Sequence, residues 1–487
     1  MPEERLKVQA ATSVLWAGLS LVGTSLLQLI QLAVLGRLLT PSDFGVMSMA
    51  GVVAGFANIF QDMGIGNATI YHQDATHAQL SSMFWWNLLL GLMVSMGFWM
   101  ITPVASMLYH EPRVTLVMRW LSSVFVLGSI GCYFQALLEK TLAFRRLAQL
   151  EIAAASVGVV GAITLAITGY GVLALVGGAL ISVAAKTVLL TLAGWKSWRP
   201  SLHCDVRDLK GYLGYGLYHV GQRTINFITA NVDFMLIGSC LGAQPLGYYT
   251  LAYNLANLPS TKVNAVIARV FFPVFAKVQH ELATLKTGYL QMQQCTSLVN
   301  MPILAALAVT APVAIPLILG STWTPSVALL QILVLVGWGR SIAGTIGPLI
   351  LARGRTDLGF RWSLGLIAMQ VPALYAGIRS GSAVGVAIAF AILQTVYVLL
   401  NYRMLVRTLL GPCLKQYVNS IGPALGMSAV MVVGMWAVSG VAASWPPLVR
   451  LMSQLTVGMV LYAMLAWSIH RPFVLSIVEL VLRRVAI

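Results

Sequence analysis

The sequence predicts an all-α integral membrane protein of about fourteen transmembrane helices. Three observations lead there. Hydrophobic residues make up 58% of the 487 positions and charged residues only 9%, with a mean hydropathy of +0.84. A water-soluble domain carries about a quarter charged residues, so most of this surface cannot face water. Second, apolar stretches of the ~20 residues that a spanning helix needs recur from one end of the chain to the other. Third, these stretches do not alternate in segments of about ten residues, which excludes an outer-membrane barrel. Helices remain, because hydrocarbon offers the backbone no partner outside the segment.

In chain order the expected spans are 9–36, 44–69, 82–108, 115–138, 149–169, 171–194, 213–238, 245–273, 292–318, 325–351, 361–378, 382–405, 418–440 and 449–470. The first follows Arg5 and Lys7. It runs past the 7–15 residues usual for a signal peptide and no A-x-A-like site closes it, so it reads as a membrane helix. The longest hydrophilic connections lie near 195–212 and 274–291, too short for a soluble domain. Pro259, Pro302, Pro316 and Pro348 fall inside spans as candidate kinks, and Gly51-x-x-x-Gly55 points to close helix packing. The five cysteines stand singly, without C-x-x-C spacing, and read as small apolar packing residues.

A net charge of +16 would point to nucleic acid in a soluble protein. In a membrane protein it is first a topological signal. With the N-terminus in the cytoplasm, about twenty Lys and Arg fall on the cytoplasmic side, among them Arg145, Arg146, Lys210, Arg353 and Arg407. Only Arg37, Arg113, Arg379 and Arg450 fall on the other. The bias supports an even number of spans with both termini inside, and no nucleic-acid partner is expected.

An internal repeat sets the expected architecture. Residues 35–50 (LGRLLTPSDFGVMSMA) and 237–252 (IGSCLGAQPLGYYTLA) match at an offset of 202 at Gly36/Gly238, Leu39/Leu241, Gly45/Gly247 and Ala50/Ala252. Leu35/Ile237 and Phe44/Leu246 are similar. Each copy lies at the turn between the first two helices of a six-helix set, and both run in the same direction. The simplest partition is a lobe over 1–200, a second over 201–410, and two additional helices over 411–487.

Charges inside a bilayer are costly, so each needs a role. The seventh span holds His219, Arg223, Asn226 and Asp233 on one stripe. The eighth holds Asn254, Lys262 and Arg269, with Asn257 and Asn264 alongside. The second carries Asn58 and Asp62; the first carries Ser20, Thr24, Gln28 and Gln31 along one face. Arg119, Lys186 and Arg340 are further intramembrane cations. Six cations against two carboxylates, Asp62 and Asp233, describe a cationic wet cavity suited to a phosphate or diphosphate. Other roles exist for each group: Asp233 as a boundary residue, Arg269 as a snorkelling cation. The sequence contains no G-x-x-x-x-G-K-[ST] loop, H-E-x-x-H motif or Cys/His cluster, and no long outer loop with paired acids. Enzyme is therefore the weaker class, and no metal or other cofactor is expected.

Three segments carry a family resemblance: LGRLLTPSDFGVMSMA from residue 35, LEKTLAFRRLAQLEI near 138, and the long NVDFMLIGSCLGAQPLGYYTLAYNLANLPSTKVNAVIARVFFPVFAKVQ from 231. Up to about residue 410 the chain resembles the Wzx-type polysaccharide flippases of the multidrug/oligosaccharidyl-lipid/polysaccharide superfamily. Within them it is most similar to the colanic-acid and teichuronic-acid exporter branch. The resemblance implies two V-shaped six-helix lobes around a central cationic cavity, plus two C-terminal helices. It implies translocation of undecaprenyl-diphosphate-linked oligosaccharide across the bacterial inner membrane by alternating access, alongside polymerase and export machinery. On that picture Arg223, Lys262, Arg269, Arg340 and Arg119 are the candidates to hold the diphosphate. Asn226, Asn254, Asn257, Gln28 and Gln31 would meet the sugars, and Asp233 or Asp62 would couple to a proton or sodium gradient. The rival readings are a multidrug or cation antiporter of the same superfamily, which would want an acidic cavity, and a membrane polymerase or ligase.

Overall fold

The computed structural model describes residues 2–61, 76–141, 143–195, 198–203, 205, 212–442 and 444–485. Among them are fourteen helices of 19 residues or more and no strand. They are α1 (Pro2–Leu38), α2 (Pro41–Gln61), α3 (His77–Met100), α4 (Arg113–Lys140), α5 (Phe144–Ile167), α6 (Val172–Gly194) and α7 (Tyr212–Leu241). The series continues with α8 (Ala243–Lys277), α9 (Leu282–Leu319), α10 (Pro325–Ala343), α11 (Thr356–Ile378), α12 (Ala383–Asn401), α13 (Leu414–Val441) and α14 (Pro447–Val485). Twelve segments of the described residues are long and apolar enough to cross a membrane. The chain is a multi-pass membrane protein. The two long helices outside that set are α8, with its polar stripe, and α11.

Helix boundaries follow local chemistry. Thr40 and Asp43 form a capping box at the start of α2: the Thr40 hydroxyl accepts from the Asp43 amide (3.3 Å) and the Asp43 carboxylate accepts from the Thr40 amide (3.0 Å). Thr76 and Gln79 do the same for α3. The expected span 325–351 is two helices, α10 and a short one over Ile346–Ala352. Pro348 has no amide to give the carbonyl of Gly344, four residues back, and the break falls there, whereas α8 and α9 run unbroken through Pro259, Pro302 and Pro316. The stretch 274–291, expected as a connection, is nearly all helix, with only residues 278–281 between α8 and α9. Leu285, Tyr289 and Met292 put the early turns of α9 into the core, and that apolar spacing within a polar stretch is what the hydropathy reading passed over.

The described chain divides into two compact units, Met1–Gly247 and Tyr248–Ile487. The first has an aromatic core in which Phe84, Tyr133, Phe134 and Trp198 meet edge to face or tilted. Its α5 and α6 cross on small residues: a Cβ on Gly178 would lie 2.4 Å from Ala162 Cβ. Of the expected Gly51/Gly55 pair, Gly55 packs against the Phe227 ring of α7, whereas nothing lies within 4 Å of a Cβ on Gly51. The repeat motif does sharper work. A Cβ on Gly45 would sit 1.8 Å from the Ala243 carbonyl oxygen, and one on Gly247 1.8 Å from that of Pro41. Pro41 and Ala243 are themselves related by the offset of 202, so the two copies touch reciprocally, backbone against backbone.

At one end of this unit Arg113 gathers the connecting loops. Its guanidinium donates to Glu111 (2.9 Å) and to Ser42 (2.7 Å) and lies 3.5 Å from Asp43. The Arg113 hydrogen bond holds the Glu111 carboxyl below its ordinary range. A lowered native value means that the contribution exists above the unfolded value of ~4.3 and fades as pH falls through the native one. In detergent, Glu111→Gln should therefore melt below the wild type at pH 7, and the gap should close in acid. An equal gap at both pH values would sink the assignment.

The second unit packs Phe275, Leu285, Tyr289, Met292, Ile346, Leu349 and Tyr417 into one core. Neutral polar groups are threaded through it. The Asn300 amide donates to Asn264 (2.7 Å), Asn264 donates to the Ser341 carbonyl (3.0 Å), and the Thr345 hydroxyl donates to Gln293 (2.6 Å).

Candidate functional site

In the second unit the structure brings two of the expected residues together. Arg340, on α10, donates to the Tyr253 hydroxyl and to Asn257 Oδ1 (3.4 Å). Its guanidinium lies 5.0 Å from the centroid of the Tyr253 ring and 5.3 Å from that of Phe390. Asn257 is 6% exposed and donates back to the Tyr253 carbonyl. The approach of α10 to α8 is set at Gly337, where a Cβ would meet the Ala256 carbonyl oxygen at 2.3 Å. That closeness is what lets a side chain one turn further on reach Tyr253. A planar cation fixed beside two aromatic rings, with a fixed amide next to it, has a defined direction for its forked donors, which suits a phosphate oxygen. On the same α8 stripe Lys262 is half-buried and Asn254 is exposed. The Arg269 side chain lies outside the described residues.

In the first unit the α7 stripe spreads out. Arg223 is half-buried, Asn226 exposed and Asp233 fully buried. Arg223 and Asp233 are ten residues apart on one helix, about 15 Å at 1.5 Å per residue. Gln28 is exposed and Gln31 half-buried on α1. Asp62 lies outside the described residues, as does the side chain of His219. Arg119 is exposed, with its guanidinium 5.2 Å from the ring centroid of Trp99, itself half-exposed. That pairing of a cation with an aromatic face on the outer surface is typical of an interfacial anchor.

One grouping was missed by the sequence reading. Lys186 on α6 is ion-paired with Glu151 on α5 at 3.1 Å, and the Ser20 hydroxyl of α1 donates to the other carboxylate oxygen at 2.7 Å. Glu151 stands two residues inside the expected fifth span, in addition to the Asp62 and Asp233 expected in the membrane. Its proximity to that boundary made it look like a loop residue. Ser20 is thus committed to Glu151, so the expected single polar face of α1 divides between two uses.

Residues 34–328 match the polysaccharide biosynthesis protein family, a stretch that includes both copies of the repeat. The chain belongs to that family. Among its relatives, the teichuronic acid biosynthesis protein TuaB of Bacillus subtilis (strain 168) is 31% identical over 87% of this chain and 88% of its own. The lipopolysaccharide biosynthesis protein WzxC of Escherichia coli (strain K12) is 28% identical over 85% of each. The succinoglycan biosynthesis transport protein ExoT of Rhizobium meliloti (strain 1021) is 25% identical over 96% of this chain and 94% of its own. The Wzx-type resemblance read from the sequence therefore holds for this family member. Among solved structures, the lipid II flippase MurJ in an inward closed conformation superposes with a TM-score of 0.76. It covers 95% of this chain and 100% of that one at 13% identity. An inward-facing multidrug resistance MATE family transporter follows at 0.61, over 79% and 95%, at 16% identity. At these identities the likeness shows the fold alone, an all-α membrane architecture shared with both.

Proposed function

We propose that this chain is a flippase that moves undecaprenyl-diphosphate-linked oligosaccharide repeat units across the bacterial inner membrane by alternating access. It would thereby supply surface or exopolysaccharide assembly, and act as a transporter without chemistry of its own. The observation that carries the reading is the match along 87% of the chain to a teichuronic acid biosynthesis protein. The proposed organisation is two six-helix lobes over 1–200 and 201–410 with the remaining helices beyond, and both termini in the cytoplasm. In this reading Arg340, Arg223 and Lys262 meet the diphosphate, with Arg269 as a further cation toward it. Asn257, Asn254, Asn226, Gln28 and Gln31 meet the sugars, and a polysaccharide polymerase takes up the product.

A strain lacking this chain should accumulate lipid-linked repeat units on the cytoplasmic face and lose its surface polysaccharide. Unchanged polymer export in a strain with no second flippase would sink the reading. An altered drug-sensitivity profile with normal export would instead favour a cation antiporter. Arg223→Ala should abolish export with membrane insertion retained, because it removes an intramembrane charge and no topological signal. Normal export by a stably inserted Arg223→Ala protein would return Arg223 to a packing role.

A further inference from the structure

Prolines lie inside α9 at 302, 312 and 316, yet the helix runs unbroken from Leu282 to Leu319. Each proline lacks the amide that would donate to the carbonyl four residues back, and in a hydrocarbon layer no water takes its place. At two of them another helix supplies the donor. The carbonyl freed by Pro302 is that of Leu298, and the Tyr462 hydroxyl of α14 donates to it at 2.8 Å. The carbonyl freed by Pro312 is that of Ala308, and the Gln331 amide of α10 donates to it at 3.2 Å. Tyr462 stands fifteen residues beyond the first residue of α14, Pro447. At 1.5 Å per residue that is about 22 Å along the helix, inside the apolar span Pro447–Ile469.

The turns of α9 just before Pro302 reach the cation site described above. Gln293, Thr296, Ser297 and Asn300 form a buried stripe there. The Asn300 amide donates to Asn264 of α8 and to the Ser341 hydroxyl of α10, and the Asn264 amide donates to the Ser341 carbonyl. Ser341 is the residue next to Arg340. The carbonyl that Tyr462 grips is therefore two residues from the contact that sets Arg340 in register. Past Pro302 the helix is held separately, through Gln331. Anchored on both sides of the proline, α9 has its bend fixed at that turn. Both C-terminal helices, α13 and α14, pack against α9. They also pack closely on each other, since a Cβ on Gly458 of α14 would lie 2.6 Å from the Met435 sulfur of α13.

We propose that Tyr462 is a positioning residue for substrate movement. Its hydroxyl stands in for the amide missing at Pro302 and so holds the bend of α9 at the angle that aims Arg340. The inference rests on the flippase reading and on the part that reading gives Arg340. It assigns the C-terminal helices a task, that of bracing α9, for which apolar packing alone needs no hydroxyl at this depth. Without the hydroxyl the Leu298 carbonyl is left with no donor in a layer that excludes water, and α9 relaxes to another angle. Asn300 and Ser341 shift with it. A helix without proline at 302 gives Leu298 its donor from its own backbone, and the Tyr462 hydroxyl becomes redundant.

The test is a double-mutant cycle in the full chain: Tyr462→Phe, which keeps the ring, Pro302→Ala, which restores the amide, and the two combined. Movement of an undecaprenyl-diphosphate-linked oligosaccharide is followed in phospholipid vesicles, and melting in detergent. Tyr462→Phe should raise the half-saturating substrate concentration several-fold, with a smaller change in the rate at saturation, because Arg340 is misplaced and not removed. It should also melt below the wild type. In the Pro302→Ala background, Tyr462→Phe should change neither quantity. Equal effects of Tyr462→Phe in the two backgrounds would overturn the proposal. So would a Tyr462→Phe protein that melts lower but keeps the wild-type half-saturation, since the hydroxyl would then serve stability alone. If Pro302→Ala does not fold, Pro302→Leu restores the same amide and takes its place. A wild-type protein that moves the substrate while Tyr462→Phe matches it overturns this inference and leaves the flippase reading standing. A wild-type protein that moves no lipid-linked substrate overturns both.

Discussion

Gly45→Ala and Gly247→Ala are each expected to destabilise the protein by ~3 kcal/mol and to cut export sharply. A new Cβ would be placed 1.8 Å from a main-chain oxygen in either case, that of Ala243 or that of Pro41. A carbonyl oxygen is fixed by its helix and cannot rotate aside as a side chain can, so the first turns of α2 and α8 must separate by more than an ångström. Overpacking of that kind costs about 1–3 kcal/mol, and more where the obstacle is backbone. The two positions share one contact, so their effects should not add. Once the first substitution has pushed the turns apart, the second meets less resistance. Unfolding of purified single and double variants in detergent reads both quantities. Single variants within 0.5 kcal/mol of the wild type, or a double variant equal to the sum, would count against a shared contact.

Arg340→Ala is the second large effect. It should reduce surface polysaccharide at least tenfold while leaving protein in the membrane, and Arg340→Lys should recover only a minor part. The guanidinium is held by the Tyr253 hydroxyl, by the neighbouring rings of Tyr253 and Phe390 and by Asn257 Oδ1. Each cation–π contact is worth ~0.5–2 kcal/mol, and a lysine cannot span two rings while keeping a forked donor pair. Tyr253→Phe keeps the ring and removes one acceptor, so its effect should be small beside that of Arg340→Ala. Polysaccharide quantified against membrane protein level checks all three. Wild-type export by a stable Arg340→Ala protein, or Tyr253→Phe as damaging as Arg340→Ala, would remove Arg340 from the proposed diphosphate site.

Much of the fold could be read in one dimension because the bilayer imposes a one-dimensional rule. Backbone groups must be satisfied inside each segment, so apolar length translates directly into helices. The helix ends that the sequence placed poorly are those where amphipathic turns extend beyond the apolar run, as at Leu285 and Tyr289, or where proline splits it, as at Pro348. The site was less legible. The α8 and α10 residues Asn257 and Arg340 were both visible as polar intrusions, but their juxtaposition was not. Tyr253, which joins them, looked like one aromatic among many. Glu151 was hidden by its place near a helix start, and only its contact with Lys186 marks it as a charge inside the layer.

The sequence by itself determined the all-α membrane class, the succession of helices, the repeat at an offset of 202 and the family. All of these depend on composition and local order along the chain. The tertiary structure alone decided which polar groups meet. It put Lys186 on Glu151, Arg340 against Tyr253 and Phe390 with Asn257 beside it, and Arg119 out against Trp99. It also showed why Gly45 and Gly247 recur at equivalent places, since each must admit the other copy's main chain. Contacts of this kind join residues tens to more than a hundred positions apart. Their energies arise from distance and orientation in space, which residue spacing along a chain does not encode.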